Sequence, residues 1–256
     1  MAPLIDGRLA APRDADAAER TRKVFVETWG CQMNELDSRR FVGLMSRAGW
    51  EESFEPNDAD LVLLNTCSVR DKAEQKVYDY LGRVALLKKA RPGMLLGVCG
   101  CVAQQEGEEI LRRSPAVDFV LGTGRIELLP SVVRRVEREG DRPVETGFDL
   151  DEVAYTPGAV ARTVAHRASI TIIEGCNKHC TFCVVPTTRG RERSRRSSEV
   201  VEECRRLVGE GVVEIELAGF GVDHHVFEHR AEAAGGGVDF RLGLFGKADH
   251  LGVAAA

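Results

Sequence analysis

Cys176, Cys180 and Cys183 fall within eight residues at the spacing C-x3-C-x2-C, close enough on one short segment to ligate a single metal centre. Zinc would normally take a fourth protein ligand and close a tetrahedron. A four-iron cluster held by three thiolates instead keeps one iron open for another ligand. His179 lies inside the segment and could complete a zinc site, but it would have to share a very tight loop, and the reading adopted is that it faces outward. The other five cysteines, Cys31, Cys67, Cys99, Cys101 and Cys204, are scattered and need a separate explanation.

The elements around them supply one. Residues 23–29 read as a strand, and Leu36, Phe41, Leu44, Met45 and Ala48 repeat at helical spacing. The pattern recurs: a strand at 58–65, a helix marked by Val77, Leu81, Val84 and Leu87 and ending near Arg91, and a strand at 94–99. A helix around 106–113, a strand at 118–122 and a helix from about Glu127 to Glu139 complete the alternation. Such a β-α run predicts an α/β fold, an open parallel sheet with helices on both faces. Cys31, Cys67 and Cys101 then each follow a strand, at the carboxyl ends where open parallel sheets gather their ligands, so residues about 35 apart in sequence can converge. The competing reading is three small buried hydrophobes near strand termini.

Residues 141–167 hold two prolines and no sustained period, and read as a linker. A second unit follows: a strand at 168–175, a helix capped by Ser197 or Ser198 and running to about Glu210, and a strand at 212–219. Cys204 shares the apolar face of that helix with Val200, Val201, Leu207 and Val208, which predicts core packing. Cys99, two residues from Cys101 on a strand, is expected in the core as well. Beyond residue 223 no period survives, and four of the six histidines crowd the stretch to the end.

Composition limits the partners. The 256 residues carry a net charge of −5, so the surface as a whole is no trap for nucleic acid, and any RNA contact needs a local basic patch. Between 161 and 206 there are ten Arg or Lys against five Glu, with Arg189, Arg191 and Arg193 beside the cysteine loop as candidate phosphate contacts. The plainer reading is a solvated charged face. No window has the roughly 18 uninterrupted apolar residues of a membrane span, and the charged first twenty residues have no apolar core of a signal peptide. A cytoplasmic protein with a disordered leader at 1–22 is expected, its cysteines serving as metal ligands or catalytic thiols rather than disulfides.

The loop context EGCNKHCTFCVVPTTRGRERSR, residues 174–195, resembles the methylthiotransferase family of the radical S-adenosylmethionine superfamily. TWGCQMNELDS (28–38), NTCSVRDKAEQKV (65–77) and GCVAQQEG (100–107) resemble its tRNA-modifying branch, and the likeness covers about residues 23–222. The resemblance implies two [4Fe-4S] clusters. Cys176, Cys180 and Cys183 would hold the one whose open iron binds S-adenosyl-L-methionine, with Phe182 near the adenine and Gly219 near the amino group. Cys31, Cys67 and Cys101 would hold the second, from which sulfur is delivered. The implied reaction adds a methylthio group to C2 of an N6-isopentenyl-type adenosine at position 37 of a tRNA anticodon loop. It begins with one electron from the reduced cluster, supplied by a donor such as a flavodoxin or ferredoxin, cleaving the sulfonium to methionine and a 5′-deoxyadenosyl radical that abstracts hydrogen.

The resemblance also divides the chain: an amino-terminal domain at 23–140, the linker at 141–167, the start of a partial β/α barrel at 168–223, and a tail at 224–256 that matches nothing in the family. A shifted reading frame or premature end near residue 220 is the expectation for that tail. Alternatives to an enzyme are a noncatalytic iron–sulfur remnant of one and, third, a zinc-binding module. Oligomeric state is not legible in the sequence.

Overall fold

The computed structural model describes residues 20–68, 73–148, 156, 160–162, 164–178 and 180–220, together with the backbone of three short strands between 232 and 245. The first domain is built from β1 (Lys23–Trp29), α1 (Gln32–Arg47), β2 (Glu51–Glu52), β3 (Leu61–Thr66), α2 (Ala73–Ala90), β4 (Leu95–Gly100), α3 (Cys101–Glu106), α4 (Glu108–Arg113), β5 (Phe119–Leu121), α5 (Leu129–Glu139) and β6 (Val144–Glu145). Its six strands lie in the order β2-β1-β3-β4-β5-β6 and every pair is parallel.

Both faces of the sheet are buried, as a parallel sheet requires. Leu61 and Leu63 face Phe41, Leu44 and Met45 of α1 and Val132, Val133 and Val136 of α5. Val62 and Leu64, one residue out of phase, face Val77, Leu81 and Val84 of α2 and Ile110 of α4. Cys99 joins the α1/α5 side and is fully buried, the core role expected of it.

Several boundaries differ from the sequence reading. The helix expected around 106–113 is two: α3 starts at Cys101, and Gly107, at φ +50°, breaks it from α4. The helix expected from Glu127 begins at Leu129, after a 3-10 stretch at Thr123–Leu128. β6 is paired with β5 inside the stretch read as linker. Arg20 and Arg22 of the expected leader are held by ion pairs to Asp60 and Glu137, and Arg22 stacks on Trp50 at 4.1 Å. Residues 1–19 of that leader lie outside the described residues, as does most of the linker between 149 and 163.

The second domain comprises β7 (Arg167–Glu174), α6 (Val185–Arg189), β8 (Arg193–Ser194), α7 (Ser197–Gly209) and β9 (Glu214–Phe220). Ile170 and Ile172 of β7, Ile215 and Leu217 of β9, and Cys204 and Leu207 of α7 form its core. Cys204 is core, as expected, but Val201 is 44% exposed and lies off the apolar face. The serine caps do not form: Arg196 takes the capping position and no side chain bonds the first turn. Two further two-residue strands, β10 (Glu232–Ala233) and β11 (Gly236–Gly237), pair antiparallel. The tail then departs from the expectation of no element, because β12 (Asp239–Phe245) pairs parallel with β9 over seven residues, from Asp239 opposite Glu214 to Phe245 opposite Phe220. The apolar residues of Phe240-Arg241-Leu242-Gly243-Leu244 recur with period two, a strand signal that the glycines and histidines around it obscured. The sheet order is β12-β9-β7-β8, with three parallel strands as in the start of a β/α barrel.

Candidate metal centres

Register brings the scattered cysteines together. Trp29, Thr66 and Gly100 occupy one row across β1, β3 and β4, so Cys67 and Cys101 lie one residue beyond the row and Cys31 lies two. Adjacent strands are about 4.8 Å apart, which places all three thiols along one short stretch of the carboxyl edge. That edge is also where the strand order reverses, between β1 and β3, the position at which doubly wound sheets open a crevice for ligands.

Buried amides fix the three strand ends to one another. Asn34, on the first turn of α1, donates through Nδ2 to Asn65 Oδ1 and to the Thr66 carbonyl, both at 3.1 Å. Asn65 donates in return to the Asn34 carbonyl at 2.8 Å and to Ser38 Oγ at 2.9 Å. The Cys31 N–H donates to Asn34 Oδ1 at 3.3 Å, and Thr66 Oγ1 donates to the Cys99 carbonyl at 2.7 Å. Both asparagines are fully buried, so each unmade bond would carry its full desolvation cost.

The Cys31 thiol is lowered to about 5, first by a hydrogen bond from Cys67, then by its backbone partners and the positive charge of Arg189, all against burial. These neighbours favour the thiolate, the form that binds metal. Cys99 is the opposite case: burial pushes its thiol well up, which suits packing and not ligation.

The second thiol group follows β7. A register irregularity between Thr171 and Ile173 bends β7 just before the loop, a device that re-aims the chain at functional edges. Cys176 is buried and accepts a hydrogen bond from the Lys178 N–H at 3.4 Å, while Cys180 and Cys183 are exposed. Phe182 is 98% exposed. Gly219 is buried at the carboxyl end of β9, opposite Ile173 of β7 and Leu244 of β12. His179 lies outside the described residues.

The two thiol groups share a seam between the domains. Cys176 packs with Met33, Leu36 and Ala218, and Cys31 and Val185 pack against the same cluster. Among the described residues no three Cys, His, Asp or Glu side chains close around a single-ion position. Three thiols one strand apart suit a cluster in which each sulfur takes a different iron.

The arginines beside the loop are placed differently from one another. Arg191 is exposed, as a phosphate contact requires. Arg193 is half-buried and donates to Glu174 at 2.7 Å. Arg189 departs from the expectation: it is 5% exposed and donates to Asp37 at 2.6 Å, so its guanidinium faces the protein and not a phosphate. Arg40 of α1 bridges to Glu127 at 2.8 Å and to Glu174 at 2.5 Å. Burial alone would raise the Glu174 carboxyl, but Arg40, Arg193 and Arg189 outweigh it and hold it below the ordinary range.

The sequence reading missed the glycines. Gly30, Gly100 and Gly175 each stand directly before a candidate ligand, and the Gly-Cys pair repeated three times was the available signal. Gly100 has φ +91°, and a Cβ there would lie 2.4 Å from both Asn65 Oδ1 and the Thr66 carbonyl; Gly175 has φ +72° and would meet the Arg191 carbonyl at 2.1 Å. Gly100→Ala is expected to cost about 3 kcal/mol from strain and overpacking, and to halve the iron taken up on anaerobic reconstitution. Urea denaturation and an iron assay check both parts.

Fold and site together define a two-domain α/β protein with one three-thiol group at the switch point of an open sheet and another on the loop after the first strand of a barrel-like sheet. Residues 23–122 match the model of the uncharacterized protein family UPF0004. The chain is 45% identical over 226 residues to a tRNA-2-methylthio-N(6)-dimethylallyladenosine synthase of Geobacter sulfurreducens, covering 86% of this chain and 49% of that protein. It is 46% identical over 217 residues to the synthase of the same description from Agrobacterium fabrum, covering 82% of this chain and 48% of that one. A solved radical S-adenosylmethionine methyltransferase, TsrM from Kitasatospora setae, aligns with a TM-score of 0.48 and 16% identity over 78% of this chain and 48% of that chain. By its sequence the chain is similar to these methylthiotransferases over most of its own length, and to UPF0004 over residues 23–122. It spans about half the length of the curated relatives it matches.

Proposed function

We propose that this chain carries the two iron–sulfur sites of a radical S-adenosylmethionine tRNA methylthiotransferase, acting at C2 of an N6-isopentenyl-type adenosine at position 37. The observation that carries the reading is the convergence of Cys31, Cys67 and Cys101 on one sheet edge, across a shared apolar seam from the Cys176 loop. The names of the curated relatives support the substrate class.

When bound, the two [4Fe-4S] clusters and S-adenosyl-L-methionine would supply reductive sulfonium cleavage, hydrogen abstraction from the base and the sulfur to be transferred. The chain's own residues supply placement. Cys176, Cys180 and Cys183 would hold one cluster, with Phe182 and Gly219 toward the S-adenosyl-L-methionine. The Asn34–Asn65 clasp keeps Cys31, Cys67 and Cys101 in register for the other. Met33, Leu36 and Ala218 exclude water between the two sites. Arg191 offers the tRNA backbone an exposed cation, and Arg193 stands beside it. The electron donor in this reading is a flavodoxin or ferredoxin. The compartment in this reading is the cytoplasm, whose reducing conditions keep cysteines available as metal ligands rather than disulfides.

The test is an anaerobic assay of the reconstituted chain with dithionite, S-adenosyl-L-methionine and an anticodon stem-loop bearing N6-isopentenyladenosine. A brown protein with about eight irons per chain is the expected result, and a methylthio mass gain on the RNA would assign the full reaction to this chain. Irons and 5′-deoxyadenosine without a mass gain would reduce the reading to a cluster-holding part of such an enzyme. A colourless, zinc-loaded chain overturns it.

A further inference from the structure

Arg189 belongs to the second domain, six residues after Cys183, yet its side chain ends inside the first. It closes α6, which packs against α3, and α3 begins at Cys101. Thr188, one residue before it, accepts a hydrogen bond through its carbonyl from Thr123 of the first domain, fixing α6 across the boundary. Its partner Asp37 lies on α1, the helix that Cys31 caps.

We propose that Arg189 is a positioning residue for the amino-terminal thiol site: its buried guanidinium, carried across the domain boundary, offsets the negative charge gathered by Cys31, Cys67 and Cys101 and sets how readily a group held there accepts an electron. The proposal rests on the reading that those three thiols hold an iron–sulfur cluster.

Burial disfavours the charged guanidinium, but the negative charge of Asp37 and of the Cys101 and Cys31 sulfurs outweighs that, so the cation is held there by its surroundings. Charge interactions in a site shielded from water are stronger than the same ones in solvent, so one fixed cation matters there. Asp37 holds the guanidinium in place and subtracts part of its field. Reduction adds negative charge to the cluster, so the cation favours reduction and Asp37 opposes it. Because Arg189 sits on the segment that carries the other three cysteines, the second domain thereby tunes a site it does not ligate.

The opposite signs supply the test. In the full-length chain bearing C176A, C180A and C183A, one cluster site remains, and anaerobic reconstitution should give about four irons. Its midpoint potential is read by dithionite titration followed by electron paramagnetic resonance. Adding R189M is expected to move the potential to more negative values, R189K to return most of that shift, and D37N to move it to more positive values. A purely structural role would move R189M and D37N the same way, and that result overturns the proposal. So does an unchanged potential in R189M with its irons intact. If R189M takes up no iron, D37N and R189K decide: the proposal stands on a positive shift in D37N with R189K near the parent, and falls if D37N does not shift. A parent that binds no iron overturns the two-cluster reading and this inference with it.

Discussion

Replacing Cys176, Cys180 and Cys183 together by alanine is expected to lower the iron of the reconstituted chain from about eight to about four atoms, and replacing Cys31, Cys67 and Cys101 together is expected to do the same. The reason is geometric. Each group lies on its own sheet, held by its own strand ends, and neither borrows a thiol from the other. The two variants must differ in one respect. S-adenosyl-L-methionine should perturb the resonance spectrum of the variant that keeps the loop cysteines and leave the other unchanged, because only the exposed loop has Phe182 and the end of β9 beside it. Full loss of iron in either variant would mean one shared centre. Removing Cys99 or Cys204 instead should leave the iron unchanged, since both are buried in apolar cores away from either group.

Asp37→Ala should be the most damaging single change at the domain boundary. Asp37 is 1% exposed and is the carboxylate to which Arg189 donates; Arg40 lies 3.9 Å from its other oxygen. Removing one member of a buried pair leaves the other as an uncompensated charge, at a cost of about 3–5 kcal/mol. The loss should appear as a lower urea midpoint for the iron-free chain. Glu109→Ala supplies the contrast: its pair with Arg112 is on the surface, and the midpoint should not move. Equal, small effects would show that the boundary charges are solvated in solution.

Much of this architecture was legible as period and spacing. The alternation from Lys23 to Glu139 specifies the parallel sheet, and the position of Cys31, Cys67 and Cys101 after successive strands specifies their convergence. What escaped were features too short to have a period. β2, β6 and β8 are two residues long and exist because a neighbouring strand offers its edge. β12 escaped for another reason, since Gly243 and the surrounding glycines and histidines hid an alternation that β9 completes. Gly107 split one expected helix into two through a local backbone angle that no apolar pattern reports.

Arg189 marks the division between the two kinds of information. By sequence it belongs to a basic run with Arg191 and Arg193, and all three look alike as phosphate contacts. Its five-residue helix turns it inward, so that Arg191 meets solvent while Arg189 meets Asp37, 152 positions earlier in the chain. The sequence by itself determined which residues could ligate, because thiol chemistry and strand-end position are local properties. Only the tertiary structure decided which charges face those thiols, because a side chain's partner is chosen by packing between domains, and the free energy of burying an ion depends on what waits for it there.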